Sequence, residues 1–181
     1  MRILALAAAA AALLASAAQA QNAPQAPAPA AAAPAPAPLP PPAPPAPYGM
    51  PIGYSDARVV LDAALAEARR NGWNLAIAVV EPSGELVAFA KDDGAGYAAT
   101  GVAQDKAVTA ARFARESRAF TEGFNNGRLW PLLVDRMVPI DGGVPIVVDG
   151  KTIGAVGVSG ASASQDGQVA RVAAAALAGR R

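Results

Sequence analysis

An Asp-Gly pair, Asp149-Gly150, set between two short apolar runs constrains this chain more than any other feature. The runs are Val144 to Val148 and Thr152 to Ser159, and such a pair between β-type segments signals a tight hairpin. The centre of the fold is therefore an antiparallel ribbon. Gly154 and Gly157 fall inside the second run, where glycine weakens a strand unless another backbone, a helix or a ligand must come close. After Ser159-Gly160 the apolar period lengthens to about 3.6, with Val169, Val172, Ala173, Ala176 and Leu177 on one helical face. Ser162 and Gln165 have the capping-box spacing that starts such a helix. From Asp141 to Asp166 the chain thus reads strand, turn, strand, loop, helix.

Upstream, Ser55 is the expected N-cap of a first helix with Ala57, Leu61, Ala64, Leu65 and Ala68 inward, ending at Arg69-Arg70 before Asn71-Gly72. Trp73 to Glu81 alternates as a strand, with Leu75, Ile77 and Val79 on one face and the smaller Ala76, Ala78 and Val80 on the other. Small residues on one face suit a helix packed tightly over it. Pro82-Ser83-Gly84 turns the chain into a second strand, Glu85 to Lys91, and Asp92 to Gly96 makes a loop. A helix then runs from about Ala98 to about Ala114. Lys106 lies within its apolar set Val102, Ala103, Ala107, Ala110 and Phe113. Two readings fit that lysine: its stem snorkels over the core to reach water, or it points into a pocket and binds an anion or a carboxylate. Ser117 to Phe124 is a third helical piece, and Arg128 to Ile140, broken by Pro131 and Pro139, is irregular or a short edge strand. The order predicts an α+β domain, a single antiparallel sheet flanked by helices. The hairpins leave no room for the crossovers of a parallel sheet.

The N-terminal part is of another kind. Residues 1–20 combine Arg2, an apolar run from Ile3 to Ala15 and Ala18-Gln19-Ala20, which marks a signal peptide cleaved after Ala20 and predicts export to the periplasm or the medium. The rival reading, a membrane anchor, requires an apolar run of about 20 residues, and this one is shorter. No stable membrane span is expected after processing. Residues 21–49 carry no charge and hold 12 prolines, so they predict a semi-stiff Ala/Pro-rich linker of polyproline II type without a core of its own. A ligand for a proline-recognition domain is the alternative, but Ala-Pro repeats lack the flanking basic residue such grooves read. Residues 50–181 form the expected domain. The absence of cysteine excludes disulfide bracing and lipid attachment at cysteine. Without Arg2 the acidic and basic residues balance, and no basic stripe of the kind nucleic acid requires is present.

From about Val60 onward the chain resembles the GlcG/HbpS family of haem-degrading or haem-binding domains, related to the C-terminal domain of PduO-type proteins. The resemblance rests on Asp93-Gly94-Ala95, on Lys106-Ala107 with Thr109-Ala110, on Gly142-Gly143-Val144-Pro145-Ile146, and on Gly154 to Gly160 followed by Gln165-Asp166. It implies a profilin-like sheet, a homo-oligomer with ligand pockets at subunit contacts, and haem or another tetrapyrrole as a ligand. No histidine exists here either, so the common axial ligands of haem iron are missing. Met137, Tyr48, Tyr54, Tyr97, a lysine or the Thr109 hydroxyl remain as donors.

The expected ligand-binding set is Asp93, Gly94, Lys106, Thr109, Gly143, Pro145, Ser159, Gly160 and Asp166. Singly, each has a plain explanation: Asp93 a turn, Gly143 an unusual backbone angle, Asp166 a favourable helix start. Together, Ser159 to Asp166 place hydroxyls and backbone N–H groups at a helix entrance, which suits a carboxylate, and Lys106 adds a positive charge if it faces the same cavity. The favoured expectation is an exported binder of haem or a related carboxylate-bearing small molecule. The alternatives are an enzyme on a small organic acid or haem-derived substrate, with Lys106 and Asp93 as catalytic groups, and an accessory oligomeric subunit. No Ser-His-Asp set, metal-ligand spacing or phosphate loop supports a particular reaction.

Overall fold

In the computed structural model of the chain, Asp149 and Gly150 both take positive φ, 48° and 73°, the left-handed pair that a two-residue turn between twisted antiparallel strands requires. The structure describes residues 44–179; the expected signal peptide and the linker up to residue 43 lie outside the described residues. The elements are α1 (Tyr54–Asn71), β1 (Ala76–Val80), β2 (Leu86–Lys91), α2 (Ala99–Phe113), a 3-10 turn at Ser117–Phe120 leading into α3 (Thr121–Asn125), a second 3-10 turn at Trp130–Leu133, β3 (Gly143–Val148), β4 (Lys151–Ser159) and α4 (Ala163–Ala175). The four strands form one antiparallel sheet in the order β2-β1-β4-β3. This is the expected α+β architecture.

The two faces of the sheet differ as the alternation in β1 predicts. Leu75, Ile77 and Val79 join Val144, Ile146, Val156 and Val158 beneath α1 and α4. Ala76, Ala78, Val80 and Ala155 face α2, which answers with Ala99, Ala103, Ala107 and Ala110. Alanine against alanine brings the α2 backbone close to the sheet. At Gly157 the approach is closest: an added Cβ would fall on the Ala103 carbonyl oxygen and lie 2.5 Å from the Ala107 nitrogen. The strand glycine is there for helix packing.

Local details depart from the sequence reading in two places. α1 starts at Tyr54, with Gly53 as its N-cap instead of Ser55, because the first helical hydrogen bond runs from the Ala57 N–H to the Gly53 carbonyl. Val172 is exposed while Ala170 is buried, since Val172 lies roughly 120° from the face centred on Asp166 and Ala173 at 3.6 residues per turn. Of the two readings of Arg128 to Ile140 the irregular one holds: Pro131 lies within the 3-10 turn that begins at Trp130, and the sheet edge is taken by β3, whose Pro145 has no N–H to lose.

Bonded chain begins slightly before Met50. The Thr152 N–H donates to the Pro47 carbonyl (2.8 Å), the Gly49 N–H to Thr152 (2.9 Å) and the Ile52 N–H to Ile153 (2.8 Å). The Tyr48 hydroxyl reaches the last turn of α2, 2.8 Å from the Arg112 carbonyl. No helix among the described residues is long and apolar enough to cross a membrane.

Candidate functional site

The lysine in the middle of α2 neither snorkels nor faces an open pocket. Lys106 is 2% exposed, and its backbone sits directly over β3, where an added Cβ at Gly143 would strike the Lys106 carbonyl. Its stem then runs beside Gly142; a Cβ there would lie 2.8 Å from Nζ and 3.0 Å from Cδ. The Gly142 φ of 124° is also one that glycine adopts without strain. Gly142 and Gly143 thus make room for one lysine, the first for its side chain and the second for its backbone.

That path ends at the mouth of α4. Lys106 Nζ donates to Asp166 Oδ2 at 2.8 Å and to the Val158 carbonyl at 3.0 Å. The other oxygen, Asp166 Oδ1, accepts the Ala161 N–H at 3.0 Å. Gln165 Oε1 accepts the Ser162 N–H at 3.0 Å, as the capping spacing predicts. At the helix entrance read from Ser159 to Asp166 as a place for an anion, the carboxylate that takes the Ala161 N–H and the Lys106 ammonium is the chain's own. Asp166 stands in the first turn of α4, where the helix dipole favours negative charge. Burial pushes its carboxyl above the ordinary value of 3.8, against the lowering effects of Lys106 and the Ala161 N–H, and the nearby Asp141 charge pushes the same way.

A second set of charges surrounds this pair. Asp141 accepts the Gly142 N–H at 2.9 Å and the Arg171 guanidinium at 3.1 Å, and its carboxylate lies against Gly167, leaving no space for a Cβ there. Arg171 also holds Glu116 at 3.1 Å. Ser117, fully buried, accepts the Gly143 N–H (2.9 Å) and donates to the Ile140 carbonyl (2.5 Å). Sequence reasoning missed Asp141, Ser117 and Arg171, whose roles depend on chain reversals that periodicity does not show.

The other expected site residues divide by position. Gly143, Ser159 and Asp166 are buried around the lysine's path, Pro145 is half-buried further along β3, and Gly160, at φ 140°, is exposed at the end of β4. Thr109 is buried one turn along α2; its hydroxyl donates to the Asp105 carbonyl (2.8 Å) and accepts the Val138 N–H (2.8 Å). Asp93 and Gly94 stand apart on the exposed loop before α2, where Gly94 abuts the Asn74 side chain.

A cavity of about 240 Å³ opens elsewhere, beyond the C-terminal end of α2. Phe120, Phe124, Trp130 and Pro131 form its apolar wall, and among the described residues Arg115 and Arg128 are the charged ones in its lining. Phe113, Phe120 and Trp130 meet edge to face, with ring centroids 5.1 to 6.1 Å apart. The available signal was the concentration of four of the chain's six Phe and Trp residues between Phe113 and Trp130.

Comparison with known proteins places this geometry in a family. Residues 52–175 match the family described as "Haem degrading protein HbpS-like". Protein GlcG of Escherichia coli strain K12 is 43% identical over 103 residues, 57% of this chain and 77% of that protein. The crystal structure of a double mutant of HbpS from Streptomyces reticuli superposes with a TM-score of 0.67 at 26% identity, covering 71% of this chain and 88% of the other. That of a PduOC–haem complex gives 0.65 at 24%, covering 70% and 95%, a likeness of fold.

Proposed function

The chain belongs to the haem-degrading HbpS-like family, and from that premise we propose that it is an exported binding protein for haem or a related carboxylate-bearing ligand. The family match over residues 52–175 carries this reading.

The donor set decides how such a ligand would be held. The sequence has neither His nor Cys. Lys106 is committed to Asp166, the Thr109 hydroxyl is saturated, the Tyr48 hydroxyl is given to main-chain carbonyls, Met137 is buried, and Tyr54 and Tyr97 stand exposed on the surface. These residues do not fit a buried, axially ligated haem. The proposal is therefore binding through ring faces and carboxylates, with no iron ligand from His or Cys. Binding is favoured over catalysis by the sealing of Lys106 and the exposure of Asp93, which shares no contact with it among the described residues.

Titrating hemin into the purified protein tests this reading: a shifted Soret band that saturates near one haem per chain is expected, and no shift at stoichiometric protein overturns it. Export is a second part of the proposal, supported by the N-terminal pattern of Arg2, apolar run and Ala18-Gln19-Ala20. The mature chain should begin at Gln21 on N-terminal sequencing, and a chain retaining Met1 would contradict it. Assembly into a homo-oligomer is the third part, supported by exposed apolar side chains such as Met50 and Leu133. Light scattering should give a multiple of the chain mass, and a monomer at micromolar concentration would refute it.

A further inference from the structure

We propose that the turn at residues 128–135 docks on a second copy of the chain, each Leu133 entering the other's aromatic cavity beyond the C-terminal end of α2. The inference rests on the homo-oligomer reading and names the surface that joins the copies. The turn is apolar and faces outward: Leu129 is 57% exposed, Leu132 63% and Leu133 88%, while Pro131 between them is buried. Large side chains gathered on a surface in this way mark a place that a partner covers. Knob and hollow lie side by side. Phe120, Phe124, Trp130 and Pro131 wall the cavity, and Leu132 and Leu133 follow that wall directly in sequence. In a two-fold contact the same patch serves both sides, so a knob beside a hollow fills the other copy's hollow and has its own filled. Volume favours a side chain as the occupant: pockets for drug-sized ligands run from about 300 Å³ upward, and this one is about 240 Å³.

Charge identifies the partner as the chain itself. Arg128 and Asp135 stand at opposite ends of the turn, equally far in sequence from its Pro131-Leu132 centre. Both are exposed, and neither has an ion pair among the described residues; the neighbouring Arg136 is already held by Asp105 at 2.8 Å. When the turn crosses its own copy at the middle, the Arg128 end of each lies over the Asp135 end of the other. Opposite charges then close both ends of an apolar strip, whereas side-by-side parallel turns would set like against like. The knob is also shaped in advance. Trp130 packs edge to face on Phe113 and Phe120, with centroids 6.0 and 6.1 Å away, and the Leu132 and Val134 N–H groups donate to the Leu129 and Pro131 carbonyls at 3.0 and 3.3 Å. A turn already held in its shape gives up little freedom on docking.

The test is light scattering on the full mature chain at micromolar concentration, beside variants of the turn. The native chain should be an oligomer, and Leu133→Asp should lower its mass at least about twofold, because a charge cannot enter an apolar hollow unpaired. Leu133 already faces water in the single chain, so the circular dichroism of that variant should match the native protein. Arg128→Asp and Asp135→Arg should each weaken assembly at least about tenfold by setting like charges together, and the two changes combined should restore it. An oligomeric native chain whose Leu133→Asp variant keeps its mass would overturn this surface and leave the homo-oligomer reading standing. A monomeric native chain would remove both. A combined charge swap that assembles no better than either single change would overturn the two-fold crossing.

Discussion

Two cationic places lie within one short stretch of this chain, and they are built in opposite ways. At Lys106 the ammonium is enclosed, satisfied by the Asp166 carboxylate and the Val158 carbonyl, with glycines clearing its path. At Arg115 and Arg128 the guanidinium groups line an open, aromatic-walled cavity. The sequence motifs of a ligand site gather around the first. The open space is at the second. A buried charge that has found its partner holds elements together, here α2 to the mouth of α4 across the end of β4, whereas Arg128, in the lining of an open cavity, stays exposed to solvent.

Removing one partner of the enclosed pair should show the difference most strongly. Lys106→Met leaves Asp166 buried without its counter-ion, so about 3 to 5 kcal/mol of stability should be lost in urea unfolding. Arg128→Gln at the cavity should change it by less than about 0.5 kcal/mol. Equal losses would break the contrast.

Two glycines give the next test. Gly143→Ala would drive a Cβ into the Lys106 carbonyl and should cost about 1 to 3 kcal/mol by overpacking. Gly123→Ala, in the cavity lining, would meet only Arg128, whose Cδ lies 3.5 Å away, and as a helical substitution should be neutral or stabilising by up to about 1 kcal/mol. Thermal unfolding of both variants would sharpen or erase the distinction.

The smallest expected effect concerns acid. Because burial holds the Asp166 carboxyl above 3.8, the folded chain binds more protons than the unfolded chain between that value and the raised one. The stabilisation from this group is complete below 3.8 and is lost as pH rises through the folded pKa. The stability of the native chain minus that of Asp166→Asn should therefore shrink with rising pH across that interval. Urea midpoints measured over acidic pH would show it, and a difference that grows would contradict the assignment.

Much of this was legible in the amino-acid order. Asp149-Gly150 set the hairpin, the Ala76-Ala78 face foretold a close helix, and Ser162 with Gln165 marked the start of α4. Lys106, Gly143, Ser159 and Asp166 were also assigned to one constellation. What could not be read was that the carboxylate met by the lysine is 60 residues away in the same chain, because that pairing depends on how closely α2 descends onto Gly143. The cavity was hidden for a related reason. Its walls come from short turns broken by proline, which carry no periodicity, and only the local density of aromatic residues hinted at them.

The most direct measurement is a double-mutant cycle at the enclosed pair, using Lys106→Met, Asp166→Leu and both together. If the pair is an internal brace, each single change should cost about 3 to 5 kcal/mol, and the double change should cost less than their sum by about 0.5 to 3 kcal/mol. Strictly additive costs, or single variants that unfold like the native protein yet lose hemin, would show instead that Lys106 and Asp166 serve a ligand.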